Sequence, residues 1–258
     1  MGNIQVIIDE RGIAVLELNR PDVLNVLNAP LLREMFDALG ELGSNDEVRA
    51  LIVTGRGRGF CAGADLGGAA GTGDSAASLG EHISEMMLRQ FNPVMQLLYE
   101  FPRPVISAIN GIAAGGGAAI ALCADIVVAS HSAALKVVQV PYLGIVADLG
   151  ANWLLPRIAG RSRALGACLL GDTLDASRLH EWGLVWECVD DEQLMDKARE
   201  YAGRLAQVPS EAVLATRQLV DSAPHKTFAE ILEGERQYQR QLCDAPFFVD
   251  SVSRFLKK

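Results

Sequence analysis

The sequence predicts an α/β fold, built from repeated strand–strand–helix units and closed by a run of helices alone. Three observations carry that expectation. Short apolar runs that read as strands, Ala50-Leu-Ile-Val-Thr54 and Pro104-Val-Ile-Ser-Ala-Ile109, are each followed by a glycine-rich turn. Beyond about Asp191 the strand pattern stops and only helical periodicity remains. Half of the 258 residues are hydrophobic, which is enough for one sizeable core.

Ile4–Ile8 and Ile13–Leu18 alternate around Glu10-Arg-Gly12 and predict an opening hairpin. Asn28 then has the chemistry of a helix N-cap, with Pro30 inside the first turn. Leu31, Leu32, Met35, Phe36, Leu39 and Leu42 share one face of that helix, and Gly43 is placed to end it. Residues 67–78 are dominated by glycine and small side chains and read as a mobile loop. A helix over Leu79–Glu100 follows, with Pro93 inside its pattern as a candidate kink. The tail divides into helices over Asp191–Gln207, Ser210–Ser222, Lys226–Cys243 and Pro246–Leu256, with no linker that would mark an independent second domain.

A net charge of −9 disfavours nucleic-acid and anionic-membrane partners. Arg56 and Arg58, or Arg157, Arg161 and Arg163, are local basic groups that a phosphorylated ligand could use, although a solvated surface explains them as well. The five cysteines are odd in number and widely spaced, without metal-ligand spacing, and fit a reduced, cytoplasmic protein. Met1-Gly-Asn-Ile-Gln-Val carries neither a basic leader nor a myristoylation signal. The uncharged run Val105–Ala124 is as long as a membrane span, but Asn110-Gly111 and three consecutive glycines divide it into strand, turn and short helix.

The chemistry concentrates in two segments, Gly59-Phe-Cys-Ala-Gly-Ala-Asp-Leu66 and Asn110-Gly-Ile-Ala-Ala-Gly-Gly-Gly117. Glycine and alanine at a strand end let the backbone come close to a ligand with N–H groups exposed. Two such turns converging would aim a pair of donors at one oxygen, as an oxyanion hole requires.

These segments, together with Cys123-Ala-Asp-Ile126, closely resemble the enoyl-CoA hydratase/isomerase (crotonase) superfamily. The resemblance runs from Leu18-Asn-Arg-Pro21 to the C-terminal helices. It implies a spiral of ββα units over residues 1–190, with an all-helical trimerisation region over 191–258 that often pairs trimers into hexamers. It also implies a coenzyme A thioester substrate, with CoA as part of the substrate and no further cofactor or metal. The thioester oxygen would be held by the N–H groups of Ala64 and Gly116. Ala62, Gly63, Asp65, Leu66, Gly115 and Gly117 would lie along the substrate.

The acid/base groups depart from the hydratase pattern. The first hydratase glutamate corresponds to Ala119 and the second to Gln139 or Val140, so neither position supplies a carboxylate. Hydration needs groups that activate water and protonate carbon, and this disfavours simple hydratase activity. Several isomerases of the superfamily carry an aspartate four residues after a Leu-Gly, and Asp148 stands there in Leu143-Gly-Ile-Val-Ala-Asp-Leu-Gly150. Apolar neighbours would raise its pKa toward a useful range; an N-cap for the helix containing Trp153 is the competing role.

Trp153-Leu-Leu-Pro156, Gly160-Arg-Ser-Arg-Ala164, His180-Glu-Trp-Gly183 and Glu235-Arg-Gln-Tyr-Gln-Arg240 are similar to the isomerases of bacterial phenylacetate degradation, which rearrange a ring-1,2-epoxide and shift double bonds. The expectation is therefore an acyl-CoA isomerase of fatty acid or phenylacetate catabolism. A hydratase or lyase using Glu81 or Glu85 is the alternative enzyme, and a non-catalytic acyl-CoA-binding member the alternative class. Gly55-Arg-Gly-Arg-Gly59 fails as a dinucleotide fingerprint, the glycine triplet lacks a P-loop Lys-Ser/Thr, and Cys61 has no nearby histidine that would make it a nucleophile.

Overall fold

A computed structural model describes residues 2–65 and 78–257. The expected mobile loop at 67–78, Ser78 apart, and Leu66, expected to lie along the substrate, fall outside the described residues. Strands β1 (Ile4–Ile8) and β2 (Ile13–Leu18) form the expected antiparallel hairpin. Helix α1 (Ala29–Ser44) follows, and the Asn28 side chain accepts the Leu31 N–H at 3.0 Å as its N-cap. Leu31, Leu32, Met35, Leu39 and Leu42 are buried as the spacing requires. Phe36 departs from that reading and is exposed, at the edge of the apolar stripe.

The repeating unit then becomes explicit. β3 (Ala50–Gly55) leads to β4 (Gly59–Cys61), β5 (Val105–Ile109) to β6 (Ile112–Ala114), and β7 (Ile126–Ser130) to β8 (Ala134–Lys136). In each pair the first strand joins a six-stranded sheet of order β1-β2-β3-β5-β7-β10, closed by β10 (Glu187–Val189). The second joins a four-stranded sheet of order β4-β6-β8-β9, closed by β9 (Leu174–Asp175). From β2 to β10 the larger sheet is parallel, and so is the smaller from β4 to β8. Each turn of the spiral thus moves the chain one strand along both sheets.

Between β4 and β5 lie α2 (Leu79–Met86) and α3 (Asn92–Tyr99), joined by one wider π-type turn over Met87–Phe91. Pro93 has no N–H, and its ring would press on the carbonyl four residues back. The extra residue in the turn takes up that conflict where the sequence suggests a kink. Helix α4 (Gly116–Leu122) follows β6 and is wholly buried, which places the uncharged 105–124 run in the core. No helix among the described residues is long and apolar enough to cross a membrane.

Helix α5 (Ala151–Leu170) breaks at Gly160, whose φ of 79° and ψ of 160° lie outside the helical region. A short helix α6 (Ala176–Glu181) precedes β10. Of the tail, α7 (Leu194–Leu205) packs on the large sheet: Leu194, Ala198 and Ala202 are buried with Ile13, Ile52, Ile106 and Val128. Helix α8 (Ser210–Ser222) is tied down by Arg217, which makes a bidentate pair with Asp125 at 2.6–2.7 Å and donates to the carbonyls of Phe101 and Arg103. α9 (Phe228–Leu242), opened by a Thr227/Glu230 capping box, and α10 (Pro246–Phe255) have no buried residue in the single chain.

Candidate active site

The parallel strands β4, β6 and β8 run in one direction, and all three end at one cavity of about 400 Å³. Its wall includes Ala62–Asp65 after β4, Gly115 and Gly116 after β6, and Val138 and Gln139 after β8. The carboxyl ends of parallel strands are where a sheet presents loops and helix starts to a ligand.

The Ala64 loop is held by the segment before α1. Leu27 and Ala64 form an isolated parallel bridge, in which the Leu27 N–H donates to Gly63 O at 2.8 Å and the Asp65 N–H to Leu27 O at 2.9 Å. In such a bridge the opposed residue keeps its own N–H free, so the Ala64 N–H is left unused at the cavity wall. Asn25, fully buried at a positive φ of 56°, braces the same loop from behind. Its amide donates to the Arg56, Gly59 and Phe60 carbonyls and its Oδ1 accepts the Arg20 N–H. Sequence reasoning missed Asn25; the one available signal was a polar residue inside the apolar run Val23–Leu27.

The second arm is the start of α4. Gly116 is its first residue, so its N–H has no acceptor within the helix. Among the described residues neither the Ala64 nor the Gly116 N–H donates to another group of the chain. The two arms touch: a Cβ added to Gly63 would lie 2.9 Å from Ala114 O and 3.5 Å from Gly116 N. Gly117 does not line the cavity as expected; it meets the β4 backbone, where an added Cβ would fall 2.1 Å from Cys61 O. Its lack of a side chain lets the helix start abut the strand.

Asp148 lines the same cavity, half-buried. Burial raises its pKa from the ordinary value, and a hydrogen bond from Gln139 opposes that rise. Gln139 Nε2 donates to Asp148 Oδ1 at 2.9 Å. The Asp148 side chain does not cap α5, which starts instead from Gly150 at a φ of 89°. Leu149 takes a positive φ of 52°, and its side chain lies beside Gly116, with Cδ2 3.1 Å from an added Cβ. Ile83, Met86, Met87, Phe91, Leu143 and Ile145 complete an apolar wall. Among the described residues, the other titratable group on the wall is Asp65, with Arg20 4.0 Å from its carboxylate.

Other candidates fall away from this cavity. Ala119 is buried within α4, and Val140 is not on the cavity wall. Glu81 and Glu85 are exposed on α2, the latter paired with Arg89. Burial pushes the Cys61 thiol up to about 12, which leaves it un-ionised. Arg56 reaches Gln5 and Asn19, and Arg157 stacks on Trp153 and contacts His225. A larger groove of about 1130 Å³ lies between α5 and α8, but its charged groups are engaged within the chain, as Arg217–Asp125 and Tyr99–Asp221. No cluster among the described residues could hold a metal ion.

Residues 9–258 match the family model for enoyl-CoA hydratase/isomerase. The chain belongs to the enoyl-CoA hydratase/isomerase family. This family member is 42% identical over 251 residues to the 1,2-epoxyphenylacetyl-CoA isomerase of Escherichia coli, covering 96% of this chain and 94% of that one. It is 36% identical to a probable enoyl-CoA hydratase of Rhodobacter capsulatus, over 96% and 92% of the two chains. It is 30% identical to a 4-chlorobenzoyl coenzyme A dehalogenase of Arthrobacter, over 96% and 88%. The crystal structure of an enoyl-CoA hydratase from Bacillus anthracis superposes with a TM-score of 0.90 at 29% identity, covering 99% of this chain and 96% of that one. Relatives named for three different reactions match this chain over most of its length, so the reaction of this member has to be argued from its own side chains.

Proposed function

We propose that the chain is an acyl-CoA isomerase. It would move a double bond, or rearrange a ring epoxide, in the acyl group of a CoA thioester. One observation carries the reading: a half-buried carboxylate whose pKa is raised by burial, Asp148, lines the same apolar cavity as two backbone N–H groups, Ala64 and Gly116, that are unengaged among the described residues. A proton shuttle needs one such group, whereas hydration needs groups for both water and carbon. Ala119 and Gln139 offer no carboxylate for the second task.

In a 3-enoyl thioester, ionised Asp148 takes a proton from the carbon next to the carbonyl. The negative charge that develops on the thioester oxygen is met by the two N–H groups, each worth about 3–4 kcal/mol in comparable sites. Protonated Asp148 then returns the proton two carbons further along, and the 2-enoyl isomer leaves with its mass unchanged. The apolar wall from Ile83 to Phe91 takes the acyl group, Ala62, Gly63, Asp65 and Gly115 flank the thioester, and the CoA portion is substrate with no other cofactor. The unburied faces of α9 and α10, with Phe228, Phe247, Phe248 and Phe255 exposed, support assembly into a trimer or hexamer.

The test is incubation of the purified protein with 3-enoyl-CoA, 2-enoyl-CoA and a phenylacetyl-CoA ring epoxide in separate assays, followed by absorbance and product mass. Conversion of the 3-enoyl substrate or the epoxide at constant mass is the expected result. A gain of one water from the 2-enoyl substrate would replace this reading with hydration.

A further inference from the structure

We infer that Gln139 is a positioning residue for Asp148: its amide, clamped at one end by the backbone, holds the carboxylate turned into the cavity in its ionised form. The inference rests on the reading of Asp148 as the proton carrier.

Three observations support it. Gln139 is a long polar side chain only 4% exposed, which is costly unless both ends of its amide are satisfied. Both ends are: the Val138 N–H donates to Oε1 at 3.1 Å, and Nε2 donates to Asp148 Oδ1 at 2.9 Å. A backbone N–H can only donate, so Oε1 must face Val138 and the NH₂ group must face Asp148. The amide therefore cannot turn round to accept a proton from Asp148, and its contact favours the carboxylate over the carboxylic acid.

The backbone keeps this arrangement in place. Gln139 opens a π-type turn over Gln139–Leu143, and Gly144, in the left-handed region at a φ of 67°, closes it by donating to Val140 O. The Ile145 N–H also donates to Gln139 O at 3.3 Å. The chain is folded back on itself so that residues nine apart in sequence meet.

Among the described residues the titratable groups around the pair are few. Asp65 lines the same cavity with Arg20 4.0 Å from its carboxylate. Tyr142, on the turn itself, is exposed and lies under the Lys136 ammonium at 4.7 Å. Helix α2 presents Ile83 and Met86 to the cavity, and the turn after it Met87. From α5, Asn152 donates to Ala147 O and carries no charge.

The experiment is a direct titration of Asp148 in the full-length protein by carbon-13 NMR of labelled aspartate carboxyls, with the Asp148 signal identified by its loss in Asp148→Asn. In Gln139→Met, which keeps length but donates nothing, the Asp148 midpoint is expected to rise by about 1 pH unit, the size of a lost charge-assisted hydrogen bond. In Gln139→Glu two carboxyls share a proton, and the upper midpoint of the pair is expected to rise further. The acidic limb of kcat/KM should move with the titration, which a purely structural role would not produce. An unchanged midpoint in either folded variant overturns the inference, and Gln139→Glu, nearly isosteric, decides the matter if Gln139→Met does not fold. A shifted midpoint in a protein that isomerises neither substrate would retire the proposed reaction and leave the Gln139–Asp148 assignment standing.

Discussion

Leu27 touches both arms of the candidate oxyanion site. Its backbone forms the lone parallel bridge to Ala64, and its side chain reaches to 3.5 Å from where a Cβ on Gly116 would sit. The residue is 1% exposed, so the same side chain that fills the core also spaces the two N–H groups. Leu27→Ala should therefore cost about 2–4 kcal/mol of stability, measured by chemical denaturation. It should also lower kcat in the fraction that remains folded. Wild-type kcat in the folded variant would show that the spacing is set elsewhere.

Asp148 couples activity to stability in opposite directions. Its carboxyl is raised in the folded state, so the native protein binds that proton more tightly than the unfolded chain does. Its contribution to stability is thus fully present below the unfolded value of 3.8 and is lost as pH rises through the folded value. At pH 7 the ionised group is a burden. Asp148→Asn should melt at a higher temperature than wild type at neutral pH, and the difference should vanish below pH 3.8. Turnover should fall by about 10²–10⁴-fold. Calorimetry across pH beside the isomerase assay checks both halves.

Neighbouring glycines in the triplet should fail in different ways. An alanine at Gly117 would drive its Cβ into Cys61 O at 2.1 Å, with two further Cys61 atoms at 2.8 Å, and backbone has to move. Gly117→Ala should cost more than about 3 kcal/mol or prevent folding. At Gly116 the nearest atom is the end of the Leu149 side chain at 3.1 Å, which can shift. Gly116→Ala should cost under about 1.5 kcal/mol, yet lower kcat by about 10²-fold, because the shift displaces the residue next to Asp148. Equal stability losses in the two variants would contradict this division.

Arg217 closes the core edge with its whole guanidinium: two bonds to Asp125 and others to the carbonyls of Phe101 and Arg103. Both side chains are mostly buried, at 14% and 20% exposure. Arg217→Leu leaves the Asp125 carboxylate without its counter-charge, held by the Val105 N–H at 2.7 Å, and takes the guanidinium from two carbonyls; it should cost about 3–5 kcal/mol. Arg217→Lys should recover little, since a single ammonium cannot match the planar fork. Denaturation midpoints of the two variants measure this.

Much of the architecture was legible locally. Asn28 as cap, Pro30 in the first turn and the 3.6-residue spacing of Leu31–Leu42 place α1 within a residue of its observed end. Phe36 was misplaced because periodicity marks a stripe but not its edge. The glycine segments pointed to the cavity, yet the role of Gly117 was not readable. Whether a glycine faces a ligand or a neighbouring strand depends on the packing of β4, not on the triplet.

What the amino-acid order determined by itself is what short-range physics controls: the α/β alternation, the caps and turns, the exposed N–H groups at two strand ends and the family they mark. The tertiary structure alone decided which distant groups meet. Asn25 braces the carbonyls of Arg56, Gly59 and Phe60, Leu27 pairs with Ala64, and Gln139 rather than Val140 turns to Asp148. No local pattern encodes those meetings, because each is the outcome of two sheets and a π-type turn packing together, with every buried polar group required to find its partner there.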